Sequence, residues 1–340
     1  MNTLAKLYRF ATCLVAWFVT CAGAGVLALA FTASQASSQS YPERPIRMIV
    51  PFAPGGATDF FARIVQPKMQ ELLGQPVVVE NRAGAAGNVG MEMAATSPPD
   101  GTVIFMGDVG TLAINASIFK DMRIVPTRDL IPVSIIADTP SLLVANPNFP
   151  PNTVAELVAY LKERPGKVSF ASQGSGSLNR LVMELFAEKS GVKINHVPYK
   201  GGSGPASADV MGGHVPFMYA TIVSTLNHVR GNRMKALGVT TKVRHPSLPN
   251  LPTLVESGFP ELVVSSWQGI FVPARTPDAV VEKLHDVMRK VMSDDEVKRR
   301  VADGGSLAVP SATTGEARSF VSSEADRWSA VAKAVGATAD

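Results

Sequence analysis

The chain has 340 residues, 46% of them apolar and 18% charged, with a formal net charge of +4. Its basic residues are scattered rather than striped, which argues against a nucleic-acid partner, and both cysteines, Cys13 and Cys21, lie near the N-terminus, which leaves no disulfide or thiol chemistry for the rest. The remaining length of about 300 residues exceeds what one hydrophobic core usually covers, so two lobes are expected.

At the N-terminus, Lys6 and Arg9 are followed by no charge until Glu43, with an apolar run over 10–31 and small polar residues over 32–40. That is a secretory signal layout, and Ser34-Gln35-Ala36 supplies the small residues a signal peptidase reads. Residues 1–36 are therefore expected as a cleaved signal peptide that delivers the chain to the periplasm. The alternative is an uncleaved anchor, since the run meets the roughly 20 residues a bilayer needs, although Gly23 and Gly25 interrupt it. A lipoprotein reading fails because Cys21 follows Phe18-Val19-Thr20. Removing Lys6 and Arg9 takes the formal charge from +4 to +2.

A strand over 46–50 runs into Pro51-Phe52-Ala53-Pro54-Gly55-Gly56-Ala57-Thr58-Asp59 and then into an amphipathic helix. Adjacent glycines at a strand-to-helix turn let successive N–H groups point at one spot, where the helix dipole adds positive potential, so the turn reads as an anion cradle; an ordinary tight turn is the bland alternative. Phe60, Ile64, Val65, Met69, Leu72 and Leu73 keep helical spacing until Gly74, and a strand over 77–80 follows. The same unit recurs as a strand over 168–170, a loop over 171–177, a helix over 178–189 stopped by Gly191, and a strand over 194–197. Further strands are expected over 103–106, 142–145, 217–219 and 236–239, and a helix over 154–164. Near the C-terminus, Val280, Leu284, Val287, Met288 and Val291 form one helical stripe, with further helices over 295–301 and 316–335, all read as packing elements.

Strands alternating with helices imply an α/β fold of mainly parallel sheets flanked by helices. Two such lobes, residues 41–141 plus 266–340 and residues 142–265, would each present a glycine-rich turn at the carboxyl end of a strand, where ligands bind in open sheets. If those turns face each other they close on one ligand as a clamshell, with hinges near 140–142 and 264–267.

Enzymatic readings fare poorly. In Gly174-Ser175-Gly176-Ser177 a dinucleotide fingerprint would need glycine where Asn179 stands, and residues 172–176 read Ser-Gln-Gly-Ser-Gly, not Gly-x-Ser-x-Gly. His196, His214, His228, His245 and His285 show no paired spacing for zinc. No catalysis, metal or cofactor is expected; a secreted hydrolase using Ser175 or Ser177 is the alternative from another class.

Together the motifs resemble the Bug-type solute-binding proteins of tripartite tricarboxylate transporters, from about Tyr41 to the C-terminus. The carriers are Tyr41-Pro42-x-Arg44-Pro45-Ile46, the turn from Val50 to Asp59, Val79-Glu80-Asn81-Arg82-x-Gly84, Pro99-Asp100-Gly101 and Ala113-Ile114-Asn115. Further on come His196-Val197-Pro198-Tyr199-Lys200-Gly201-Gly202, Gly212-Gly213-His214-Val215, Leu251-Pro252-Thr253-x-x-Glu256-x-Gly258 and Trp267-x-Gly269.

The resemblance implies a two-lobed clamshell of the periplasmic-binding type (type II-like), in which the Phe52, Pro54, Gly55 and Gly56 turn and the loop of Gly174, Ser175, Gly176 and Ser177 grip a carboxylate, partly through ordered waters. On that template Thr58 and Asp59 cap the first helix, the Thr58 hydroxyl serves the ligand, Ser172 adds a hydroxyl, and Tyr199 and Lys200 line the cleft; for Asp59 a ligand contact, and for Lys200 a solvated turn, are the alternatives. Relatives usually carry histidine where Arg180 stands, so Arg180 is a candidate anion ligand unless it points to solvent. Asp108 and Leu112 depart from the usual small hydroxyls and histidine of the 106–112 turn, where Thr111 is the remaining hydroxyl; a buried Asp108 would favour an amine or hydroxyl on the ligand. Pro216 and Ala220 replace the family's aspartates.

The implied function is capture of a small organic acid by a cofactor-free monomer and its delivery to transporter membrane subunits, closure reporting occupancy. A sensor that presents its closed form to a receptor kinase is the alternative.

Overall fold

The computed structural model describes residues 41–338, so the expected signal peptide lies outside the described residues. Every element below belongs to the compact unit that starts at Arg44. β1 (Ile46–Val50) is buried at four of its five positions and pairs in parallel with β2 (Val77–Asn81) and β3 (Val103–Asp108). Parallel neighbours cannot be joined by a tight turn, so a helix must cross between them. α1 (Ala57–Leu73) makes the first crossing with Phe61, Ile64, Val65, Met69 and Leu73 inward, and Gly74 at a left-handed φ of 67° ends it. α2 (Asn88–Ala95) makes the second.

After β3 the chain forms a π-turn, Gly110–Ile114, and two single-turn helices, α3 (Asn115–Ile118) and α4 (Pro126–Asp129). β4 (Leu130–Ala145) then runs for 16 residues, where the sequence pattern marks only its last four as strand. Its first part pairs antiparallel with β9 (Ser265–Pro273), which also pairs antiparallel with β3. From Ser141 onward it pairs instead with β7 (Phe217–Thr221) and β8 (Lys235–Val239). β5 (Ser169–Ser172) lies parallel to β7 and to β6 (Asn195–Pro198). Parallel wings therefore flank an antiparallel centre, in the order β2-β1-β3-β9-β4-β7-β5-β6, and β4 is shared by both half-sheets.

The second half carries α5 (Val154–Lys162), α6 (Leu178–Ser190), α7 (Ser203–Gly212) and α8 (Ile222–Arg230). α9 (Asp278–Ser293), α10 (Asp295–Asp303), the short β10 (Leu307–Ala308) on β4, and α11 (Thr314–Ala334) complete the chain. Trp267 on β9 and Trp328 on α11 both donate to Glu324 Oε2, each at 3.0 Å, which pins α11 to the central strands.

Alternation along the shared strand explains the core. Leu143 and Ala145 face one apolar cluster with Phe217 and Tyr219, while Leu142 and Val144 face a second with Met218 and Ala220. A sheet buried on both faces reads as a continuous apolar run, as β7 does. No helix among the described residues is long and apolar enough to cross a membrane.

Candidate functional site

Loops at the carboxyl ends of five strands meet: residues 51–56, 84–87 and 108–115 from one half, and 172–177 and 199–203 from the other. Their contact surface is mostly backbone. Ala53 N–H donates to Gly201 O at 3.0 Å. A methyl placed on Gly204 would lie 2.6 Å from Pro54 O, on Gly202 3.1 Å from the Phe52 ring, on Gly174 3.2 Å from Ala86 Cβ, and on Gly110 3.3 Å from Gly176 O. Side chains at these positions would hold the halves apart.

The first loop is locked from behind. Gly55 has φ +93°, which glycine adopts without strain. Its N–H donates to Asp59 Oδ2 at 3.1 Å, and Asp59 also accepts from Arg63 Nε at 3.0 Å and Asn81 Nδ2 at 2.9 Å. Burial opposes ionisation of Asp59, yet the Arg63 and Asn81 hydrogen bonds outweigh it and hold the carboxyl below its usual range. Two expectations are thereby corrected. The carboxylate of Asp59 is spent on its own turn, and neither it nor Thr58 caps α1: the N-cap is Gly56, with no side-chain bond. α7 opposite likewise starts at a glycine, Gly202, without a side-chain cap. A methyl on Gly56 would meet Ser203 Cβ at 3.9 Å, so two helix N-termini with unspent N–H groups abut here.

Several expected ligand groups turn inward. Asp108, 2% exposed, accepts from the Thr111 N–H and hydroxyl, both at 2.9 Å, so Asp108 and Thr111 satisfy each other at the head of the π-turn; burial pushes the Asp108 carboxyl up. Ser172 is fully buried, its Oγ 2.6 Å from His196 Nε2 and accepting from Gly174 N–H at 3.2 Å. Burial, with Arg180 second, lowers the pKa of His196 to about 4. Ser177 is the N-cap of α6 and accepts from Arg180 N–H at 3.3 Å. Arg180 itself donates to Glu184 Oε1 at 2.7 Å, Ser175 O at 3.0 Å and Thr338 O at 2.7 Å, which makes it a strap on the second loop, not a free anion ligand. The Tyr199 hydroxyl donates to Asp209, and burial with that carboxylate raises it to about 12. Lys200 is exposed.

What remains on the meeting surface is Phe52, Pro54, Gly55, Gly56, Gly174, Ser175 and Gly176 from the expected set. Sequence reasoning missed Ala86, Asn115 and Ser203. Ser203 was signalled by Gly201-Gly202 before a helix, the same glycine pair as in the first loop; its hydroxyl donates to Gln173 Oε1 at 2.6 Å.

The family model for the tripartite tricarboxylate transporter family receptor matches residues 61–337. Protein BugT of Bordetella pertussis is 38% identical over 312 residues, covering 92% of this chain and 95% of BugT. The solved structure of the periplasmic binding protein BugD shares 34% identity and superposes with a TM-score of 0.84, covering 88% of this chain and 99% of BugD. MatC from Rhodopseudomonas palustris with bound malate shares 32% identity at a TM-score of 0.82, covering 86% of this chain and 99% of MatC. These relatives are receptors and binding proteins rather than enzymes, and the fold is that of the periplasmic binding proteins.

Proposed function

The chain belongs to the tripartite tricarboxylate transporter receptor family, and from that premise we propose that it captures a small organic acid in the periplasm as a monomer and hands it to the transporter's membrane subunits. The observation that carries this reading is the abutment of two helix N-termini, α1 at Gly56 and α7 at Gly202–Ser203, neither capped by a side chain. Unspent N–H groups and two positive dipole ends favour a carboxylate between them. The backbone of residues 174–176, the hydroxyl of Ser175, and exposed Lys200 at the rim complete the ligand groups. MatC, which holds malate, supports a carboxylate as the ligand class.

A ligand that touches both halves stabilises the closed form by the difference in its affinities for the two states, which gives the membrane partner something to read. The test is thermal melting of the chain from Ser37 onward against mono-, di- and tricarboxylates, amino acids and aromatic acids. Ligand at 100 times its dissociation constant adds about 2.7 kcal/mol, which raises the midpoint of a chain of about 300 residues by roughly 4–5 °C. A shift with one acid class is expected; shifts with amines and none with acids would overturn the reading.

A further inference from the structure

Asn115 lies behind the meeting surface and is fully buried. Its Nδ2 donates to Ala86 O at 3.0 Å and Asn88 Oδ1 at 2.6 Å, which fixes the amide. The other end, Oδ1, is buried with no hydrogen-bond partner. Orphaned buried acceptors are rare because desolvation is uncompensated. This one faces the opposite half: a methyl on Gly176 would overlap Oδ1 and stand 2.8 Å from Cγ. Only a residue without a Cβ can come that close.

The donor end of the same side chain holds a strained turn. Ala85 and Ala86 have φ of +45° and +52°, values L-residues seldom adopt, and Ala86 abuts Gly174. One amide therefore touches the second loop twice, at Gly176 directly and at Gly174 through Ala86.

Resting on the solute-binding reading, we propose that Asn115 is a positioning residue for closure: its clamped amide sets how far the 174–176 loop descends, and only a glycine at 176 lets the halves meet. Gly176 is absent from the residues with positive φ, so its backbone admits alanine and the requirement is one of space. The next nearest group, Phe119 Cε2 at 3.0 Å, lines a recess of about 380 Å³ into which the ring can turn, whereas Asn115 is tied at two points.

The experiment compares wild type, Gly176→Ala, Asn115→Ala and the double variant by affinity for the acid that shifts wild type, and by small-angle X-ray scattering with and without it. Gly176→Ala is expected to lose at least about tenfold in affinity and to keep the larger radius of gyration when ligand is added. Asn115→Ala on top of it frees the space, so the double variant should close and bind within about threefold of Asn115→Ala alone. Rescue of this kind cannot arise from a generally damaged fold. A Gly176→Ala protein that closes and binds as wild type does, or a double variant that stays open, overturns the inference. If wild type binds none of the acids, the solute-binding reading fails and the inference that rests on it falls with it, an outcome distinct from a wild type that binds and closes beside a Gly176→Ala protein that does the same.

Discussion

The loops at residues 51–59 and 172–180 follow the same plan, a strand, a glycine-rich turn and a helix, yet they are held in opposite ways. In the first, the locking group is an acid behind the turn: Asp59 takes the Gly55 N–H and leaves the start of α1 uncapped. In the second, Ser177 caps α6, and a base, Arg180, straps the loop by its Ser175 carbonyl. A capped helix has spent part of the N–H donation that would hold an anion. On the proposed reading, the difference assigns the electrostatic stabilisation of an anion to α1 and to α7, with the second loop supplying shape and closure instead of charge.

The sharpest way to break this comparison is Asp59→Ala. It removes the acceptor of the Gly55 N–H, one of the two acceptors of the Asn81 amide and one of the two partners of Arg63, a loss of about 2–3 kcal/mol, read from the urea midpoint. Arg180→Ala should cost less, about 1–2 kcal/mol, since its partner Glu184 is 25% exposed at the side chain and can be hydrated. Affinity for a monocarboxylate should fall well short of tenfold in that variant. A tenfold loss, about 1.4 kcal/mol, would put the guanidinium on the ligand and erase the distinction between the loops.

Acid sharpens the contrast by acting on one loop alone. The lock of the first loop, Asp59, stays ionised because its carboxyl is held below the usual range. Behind the second loop, His196 has its pKa lowered to about 4 from 6.5, by burial first and by Arg180 second. The unfolded chain takes up this proton before the folded one does, so the neutral ring contributes stability above pH 6.5 that is lost as pH falls from 6.5 towards 4. Asp108, raised by burial, works in the opposite direction. The difference between wild type and His196→Gln isolates the histidine, and its slope should not exceed about 1.4 kcal/mol per pH unit. Equal slopes in the two proteins would show that His196 does not hold the loop through its charge state.

Local signals were enough to read the two loops and the helices behind them, because glycine pairs, helical spacing and the Gly74 and Gly191 stops act within a few residues. The long β4 escaped because it carries Pro132 and Pro140, lies buried on both faces and shows no alternation. Side-chain direction was the hardest to read. The spacing of Arg180 and Glu184 is that of a helical ion pair, a signal present in the sequence and outweighed by the attraction of placing a cation at an anion site. Asn115 and Gly176 give no such signal, since their contact exists only once two halves of the sheet are folded.

The smallest effect concerns Lys200. Its side chain is exposed in the turn that receives Ala53 N–H at Gly201, so Lys200→Ala should change the unfolding free energy by less than about 0.5 kcal/mol. Its consequence for binding is kinetic. A solvated charge beside an anion site attracts ligand over a distance of about a Debye length, 8 Å at physiological salt, and such charges act on association more than on the bound state. Stopped-flow measurements should therefore show a slower on-rate for Lys200→Ala at low salt, converging with wild type as salt rises, with the off-rate unchanged. A faster off-rate instead would place the ammonium against the bound acid, and then the charge missing from the second loop would be found on the turn that precedes α7.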